Sequence, residues 1–193
     1  MTRISLEGFA GKFAADDDPW RTFFSRDEAV KRAAILHGLG PGPLGRVLEL
    51  GSGNGSNSRA MAPRVRRLDA TEGTQEGTRL TARAVAAWPS ARTIRLALPA
   101  SFPQPNYDAI VIAELLYYLP AAAMADVAHH VAQALRPGGR LVLAHHRIDF
   151  YDFAQHAARI QRRFLHLTGA QWRVRTVRRR RKWEVIVAVR VGR

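Results

Sequence analysis

Hydrophobic positions along this chain recur at two spacings, and the two alternate from end to end. Val30, Ala33, Ala34 and His37 follow one another at helical spacing. They come just after Ser25 and Glu28, which have the spacing of a capping box, and Gly38, Gly40 and Pro41 stop the helix. A short apolar strand over residues 46–50 then runs into a glycine-rich turn at Gly51–Gly55, with a helix expected over 56–62. Further strands are expected over 67–71, 93–98, 108–113 and 141–145, with a helix over 75–88 between the first two. The strand at 108–113 is the clearest, because Ala109, Ile110, Val111 and Ile112 form an unbroken apolar run suited to burial on both faces of a parallel sheet. Pro120 can open the next helix, whose stripe is Met124, Val127, Ala128, Val131 and Leu135 before Pro137, Gly138 and Gly139 end it.

The last fifth of the chain has a different texture. Phe153, Ala157, Ile160, Phe164 and Leu167 make one helical stripe, with Arg159, Arg162 and Arg163 off it. Trp172, Val174 and Thr176 then alternate with Arg173 and Arg175, and Trp183, Val185, Val187, Val189 and Val191 alternate again. The run Arg178–Lys182 lies between the two, so a terminal β-hairpin with a basic tip is expected. Alternating strands and helices closed by a late hairpin predict an open α/β sheet, parallel except near its end. In such sheets ligands bind beyond the carboxyl ends of the strands, which directs attention to the residues just after each strand.

At 193 residues the chain is expected to be one domain, with residues 1–44 a helical cap segment, 45–150 a cofactor-binding core and 151–193 a basic helix and hairpin. The formal net charge of +14 suggests a polyanionic partner. Yet residues 155–193 carry twelve bases against the single acid Glu184, and residues 1–154 are nearly balanced. A polyanion hypothesis therefore belongs to the last fifth alone. The chain has no cysteine, which excludes disulfides, thiolate metal sites and cysteine nucleophiles. No signal-like segment or apolar run long enough to span a bilayer is evident, so a cytoplasmic protein is the expectation. Asp16-Asp17-Asp18 reads as a solvated acidic loop before a helix rather than as a metal site, and no metal is expected.

The first strand enters Glu49-Leu50-Gly51-Ser52-Gly53-Asn54-Gly55. Alternate glycines let the backbone turn sharply and approach a ligand closely. The pattern is G-x-G-x-G, not the dinucleotide G-x-G-x-x-G, and it has an acid two residues before the first glycine. A carboxylate there would repel a pyrophosphate and attract an amino group, which points to S-adenosylmethionine, whose methionine end carries an ammonium. A ribose-binding acid is expected about 20 residues on, at the next strand end. Glu72 stands there, 21 residues after Gly51, while the competitor Asp69 falls inside the strand.

These motifs resemble the class I S-adenosylmethionine-dependent methyltransferases, and within them the NodS-like family of nodulation N-methyltransferases. The matching pieces run in order from about residue 18 to 147. They are Asp18-Pro19-Trp20 with Glu28 and Lys31, Ala62-Pro63-Arg64, Leu98-Pro99-Ala100, Tyr107-Asp108 leading to Glu114, Tyr117, Tyr118 and Leu119, and Pro137-Gly138-Gly139 with His145 and Arg147. The resemblance implies a Rossmann-like seven-stranded sheet, mostly parallel, with an antiparallel strand from the C-terminal hairpin and helices on both faces. It implies cofactor contacts from Glu49, Gly51, Ser52, Gly53 and Glu72, adenine contacts near Ala97 and Leu98, and closure by Trp20. Ala97 stands where the family often has Asp, and the arginine-rich end is not a family hallmark.

Methyl transfer is an in-line displacement, so the acceptor must be aligned and, for an amine, unprotonated. Glu114 follows the fourth strand, and His145 and His146 end the fifth. A carboxylate can orient an amine, and imidazole, with a reference pKa of ~6.5, can take a proton at neutral pH. Glu114, His145 and His146 are thus the catalytic candidates, with Tyr117 and Tyr118 as pocket walls and Arg147 and Asp149 as more distant candidates. One of two adjacent histidines in a strand is expected to point away. The favoured substrate is a small amine or amino sugar, with O-methylation open. The alternatives are an RNA-directed methyltransferase using the basic end on phosphates, and a cofactor-binding protein without turnover. Ala113-Glu114-Leu115-Leu116 replaces the Asn/Asp-Pro-Pro-Tyr/Phe expected of base amino-methyltransferases. Oligomeric state is not legible.

Overall fold

The computed structural model of the protein describes residues 4–192. Seven strands form one sheet in the order β3-β2-β1-β4-β5-β7-β6. They are β1 (Leu44–Leu50), β2 (Val65–Glu72), β3 (Ala91–Arg95), β4 (Tyr107–Ala113), β5 (Leu135–His146), β6 (Trp172–Arg179) and β7 (Trp183–Arg190). The first five pair in parallel, and β7 runs antiparallel between β5 and β6. The apolar run of β4 lies at the centre, with Ile110, Val111 and Ile112 wholly buried. The strand order reverses between β1 and β4, and the crevice at such a reversal is where an open α/β sheet takes its ligand.

Six helices complete the described chain: α1 (Leu6–Ala15), α2 (Arg26–Leu39), α3 (Ser56–Met61), α4 (Gln75–Val85), α5 (Ala121–Ala134) and α6 (Ile160–Leu167). Two apolar layers result. Ala34, Ile35 and Leu39 of α2 and Met61 of α3 pack on Val47, Val111, Val142 and Val185 of one sheet face. Val127 and Val131 of α5 and Phe164 of α6 pack on Leu48, Ile110, Leu143 and Ile186 of the other. The first turn of helix α2 is fastened twice: Ser25 caps it by accepting from the Glu28 amide, and Trp183 of β7 donates its indole N–H to Asp27 at 2.8 Å. The Glu28 carboxylate does not complete the capping box; it pairs with Lys31 at 2.7 Å.

Several boundaries differ from the periodicity. Strand β5 begins at Leu135, so Leu135, Pro137, Gly138 and Gly139 belong to it and not to the end of α5. Three other differences have a visible reason. Helix α4 ends at Val85, three residues early, in a turn where Trp88 N–H donates to the Val85 carbonyl. Strand β3 is Ala91–Arg95 instead of 93–98, because Leu96 N–H donates to the Glu72 carbonyl and the chain then leaves the sheet. Helix α6 begins only at Ile160, although Phe153 and Ala157 are buried as the stripe requires. The amides that would extend the helix backwards are taken elsewhere: Ala154 and Gln155 donate to the Tyr117 carbonyl, and Ala157 to Asp149 Oδ1. Helix α1 is not among the elements marked by the pattern from Ser25 onward. Ser5 caps it, and its Phe9 and Phe13 face the same crevice.

Candidate active site

The floor of the crevice is the turn that joins β1 to α3. Its three alternate glycines all take positive φ: +67° at Gly51, +60° at Gly53 and +82° at Gly55, where a Cβ would also come within 2.8 Å of the Thr81 Cα. Ser52 N–H donates to the Thr71 carbonyl at 2.8 Å, its hydroxyl meets that of Thr81 at 2.9 Å, and Thr81 donates to the Gly53 carbonyl at 3.0 Å. The loop is therefore held rigid by β2 and α4 before any ligand arrives.

Two carboxylates lie beneath this loop. Glu49 is buried and accepts from the Ser58 hydroxyl, and burial pushes its carboxyl up to about 7 against the opposing hydrogen bonds from Ser58 and Asn57. Glu72 accepts from Gly53 N–H, Thr74 N–H and the Thr74 hydroxyl, each at 3.0 Å. Burial raises its carboxyl too, with those donors pulling the other way. Asp69 has a different occupation: it holds Arg92 at 2.5 Å and accepts from the Tyr107 hydroxyl at 2.7 Å inside the sheet.

The roof is aromatic. Trp20 stands edge-on to Phe13 at 5.4 Å and tilted against Phe9 at 6.0 Å, and Phe9 meets Tyr118 edge-on at 4.9 Å. Asp18 anchors this roof to the floor. Its Oδ1 accepts from Thr22 N–H at 2.6 Å, the Thr22 hydroxyl at 2.8 Å and the Asn54 side chain at 2.8 Å, while Oδ2 accepts from Phe23 N–H at 2.9 Å. Asp17 pairs with Arg83 of α4. The acidic triplet thus includes two residues that brace the entry turn.

The remaining wall is a charged network centred on Glu114. This residue has φ +52°, a strained conformation for a side chain of this type, immediately after β4. Its Oε1 receives the Lys31 ammonium at 2.5 Å, and its Oε2 receives His146 Nδ1 at 2.7 Å and the Tyr117 hydroxyl. Lys31 is 3% exposed and lies between Glu114 and Glu28. Burial alone would push the Glu114 carboxyl up; the Lys31 charge, the His146 hydrogen bond and the nearby imidazoles outweigh it and hold the group near 2. For Lys31 burial pulls downward, and its two carboxylates more than offset this, so it stays charged. His146 points Nδ1 at the Glu114 carboxylate, which leaves Nε2 as the ring nitrogen that Glu114 does not engage.

Together these surfaces enclose a cavity of about 300 Å³. Of the residues marked by the sequence, Trp20, Gly51, Ser52, Gly53, Glu114 and His146 line it, as do Tyr117 and Tyr118. Glu49 and Glu72 lie below the loop, and Ala97 and Leu98 lie beyond β3, outside that lining. His145 points the other way: its Nε2 accepts from Leu115 and Leu116 N–H at 3.4 and 3.3 Å, and burial lowers the ring to about 4, so it is neutral. Arg147 reaches the Arg180 carbonyl, and Asp149 holds His156 at 2.7 Å; neither lines the cavity. Phe9, Phe13 and Phe153 are lining residues that motif reasoning passed over. The i, i+4 spacing of Phe9 and Phe13 after Ser5 was the available signal for the first two.

The chain matches the sequence profile described as a methyltransferase domain over residues 22–187. It is 27% identical over 144 residues to "Nodulation protein S" of Sinorhizobium fredii (strain NBRC 101917 / NGR234), covering 74% of this chain and 67% of that protein. It is 30% identical over 159 residues to "Nodulation protein S" of Rhizobium tropici, covering 81% of this chain and 63% of that one. The chain thus spans roughly two thirds of the length of these relatives. Among solved structures, it superimposes with a TM-score of 0.78 on the N-methyltransferase NodS from Bradyrhizobium japonicum WM9 in complex with S-adenosyl-L-homocysteine. That match covers 96% of this chain and 97% of the other at 20% identity, a likeness of fold.

Proposed function

The chain belongs to the methyltransferase domain family, and we propose that it methylates a small-molecule amine at the wall formed by Glu114 and His146, using S-adenosylmethionine. The cofactor reading rests on fit. The pre-formed glycine loop lets the backbone approach the cofactor closely, the buried Glu49, whose ionisation a neighbouring ammonium would favour, can accept from its ammonium, and the Glu72 carboxylate at the end of β2 can accept from its ribose hydroxyls. The solved NodS holds S-adenosyl-L-homocysteine, the product of such a transfer, on the same fold. When bound, the cofactor supplies an electrophilic methyl whose C–S bond breaks as the acceptor's lone pair attacks it.

The single observation that carries the acceptor class is the Glu114 network. A carboxylate held near 2 stays ionised at every physiological pH, so it serves as an orienting anion for an ammonium or a developing cation and is too weakly basic to take its proton. The proton goes to Nε2 of His146, and the positive imidazolium that results is stabilised by Glu114 on Nδ1. The amine nitrogen, freed of that proton, then has its lone pair for attack. Tyr117, stacked on Phe153 at 3.7 Å, keeps the carboxylate in place and one side of the cavity apolar. Trp20 and the two phenylalanines of α1 give the cavity an apolar roof.

A labelled-cofactor screen against amino sugars, small primary and secondary amines, small alcohols and total RNA tests the proposal. Label in an amine that is lost with Glu114→Gln is the expected result. Label only in RNA, or only on hydroxyl groups, would overturn it.

A further inference from the structure

A second concavity lies at the opposite end of the sheet from the cavity described above. It measures about 660 Å³ and is formed by the C-terminal turn of α2, the start of β2 and the hairpin β6–β7. Arg64, Arg140, Arg173 and Arg175 converge on it from three separate places in the chain, over Val187 and Val189. The sheet register explains three of the four, and Arg64 joins them from the turn before β2. Arg140, Val189 and Arg173 are partners in one row across β5, β7 and β6, so both arginines project from the same face, roughly 10 Å apart with the valine between them. Arg175 stands two residues further along β6, opposite Val187.

None of the four arginines is ion-paired among the described residues, and the lining contains no carboxylate. Arg140 donates to the Leu39 carbonyl at the end of α2, and among the described residues no hydrogen bond engages the other three side chains. Charge on the edge strand has a known use, since arginines on β6 discourage pairing with another chain. That accounts for Arg173 and Arg175, but Arg64 and Arg140 lie off the edge and still point into the same hollow. Unpaired like charges gathered over an apolar floor repel one another until an anion joins them.

We propose that this groove binds a small phosphate-bearing molecule, its phosphates held by the guanidinium forks of Arg64, Arg173 and Arg175 and its apolar body on the valines. Guanidinium matches phosphate in shape and charge, and the hollow has the volume of a small-molecule site. The site is separate from the methyl-transfer cavity and stands whether or not that cavity does chemistry.

Calorimetric titration of the full chain with inorganic tripolyphosphate, at roughly 50 and roughly 200 mM salt, is the test. Saturable binding at one site is expected at the lower salt, weakened about tenfold or more by Arg173→Ala/Arg175→Ala and by Arg64→Ala. The hairpin-tip variant Arg180→Ala/Arg181→Ala, outside the groove, is expected to bind like the parent. Should the double variant fold poorly in a thermal melt, Arg64→Ala on another element carries the comparison. Absence of binding at low salt would overturn the proposal. So would equal weakening by the tip variant, or an oligoribonucleotide that outcompetes tripolyphosphate through the tip arginines, because either would mean a diffuse basic surface.

Discussion

Four groups meet on the one carboxylate of Glu114, and they divide its work. Lys31 keeps it ionised, Tyr117 fixes its plane, and the ring and backbone N–H of His146 join the same oxygen. Replacing Glu114 by Gln keeps the shape and removes the charge. The expected outcome is a loss in kcat of about a hundredfold or more, with cofactor affinity by calorimetry nearly unchanged. His146→Gln is expected to lower kcat about tenfold or more, measured at saturating cofactor, since the proton acceptor is gone. Glu49 gives a prediction of another kind. Its carboxyl sits near 7 in the free protein, and a bound ammonium favours its charged form. Cofactor binding should therefore release a proton and tighten as pH rises from about 5.5 to 7.5, and Glu49→Gln should remove that dependence. Calorimetry in buffers of different ionisation heat measures both.

Helix α2 matters at the level of elements because it serves the core and the site at once. Its apolar face packs under β5 and β7, Asp27 receives the wholly buried Trp183, and Lys31 enters the cavity wall. Asp27→Ala leaves the indole N–H without its partner and should cost about 1–2 kcal/mol by urea denaturation. Lys31→Met should cost about 3 kcal/mol, since it strands two carboxylates in a poorly solvated site. In the same variant the Glu114 carboxyl would climb from its depressed value, so any remaining turnover should shift its pH profile, which loss of stability alone would not produce. Strand β5 shows a simpler rule. Successive side chains of a strand face opposite ways, so His145 goes under the Leu115–Leu116 backbone and His146 into the cavity.

For the whole molecule, buried ionisable groups tie stability to pH with opposing signs. His145 is lowered to about 4 from a reference near 6.5, so its contribution is present above 6.5 and is lost as pH falls toward 4. Glu49 is raised from 4.5 to about 7, so the folded state holds a proton that the unfolded chain has released, and stability falls as pH rises through that interval. Glu49→Gln removes only the second effect. Its urea midpoint should therefore climb more steeply with pH than the parent's between about 4.5 and 7, and equal slopes would contradict the assignment.

The central strand and the glycine loop were legible because their causes are local. An unbroken apolar run declares a central parallel strand, and an acid followed by alternate glycines declares a tight turn at a strand end. The terminal hairpin declared itself by alternation, down to its basic tip. The late start of α6 was not legible, since its stripe was correct and the competing acceptors, Tyr117 and Asp149, come from elsewhere in the chain. The same holds for the site. Lys31 and Glu114 lie 83 residues apart, and nothing in either neighbourhood says that they form an ion pair. Alternation required the two histidines to diverge without saying which would face the cavity. Charge counting placed the basic excess in the last fifth, yet Arg140 lies outside it and joins Arg173 only because β5, β7 and β6 are neighbours in the sheet. Periodicity and turn chemistry thus determined the elements of this protein, because they act over a few residues. The partners of its buried charges were decided by packing, which brings distant residues together and removes the water that would otherwise make their pairing weak.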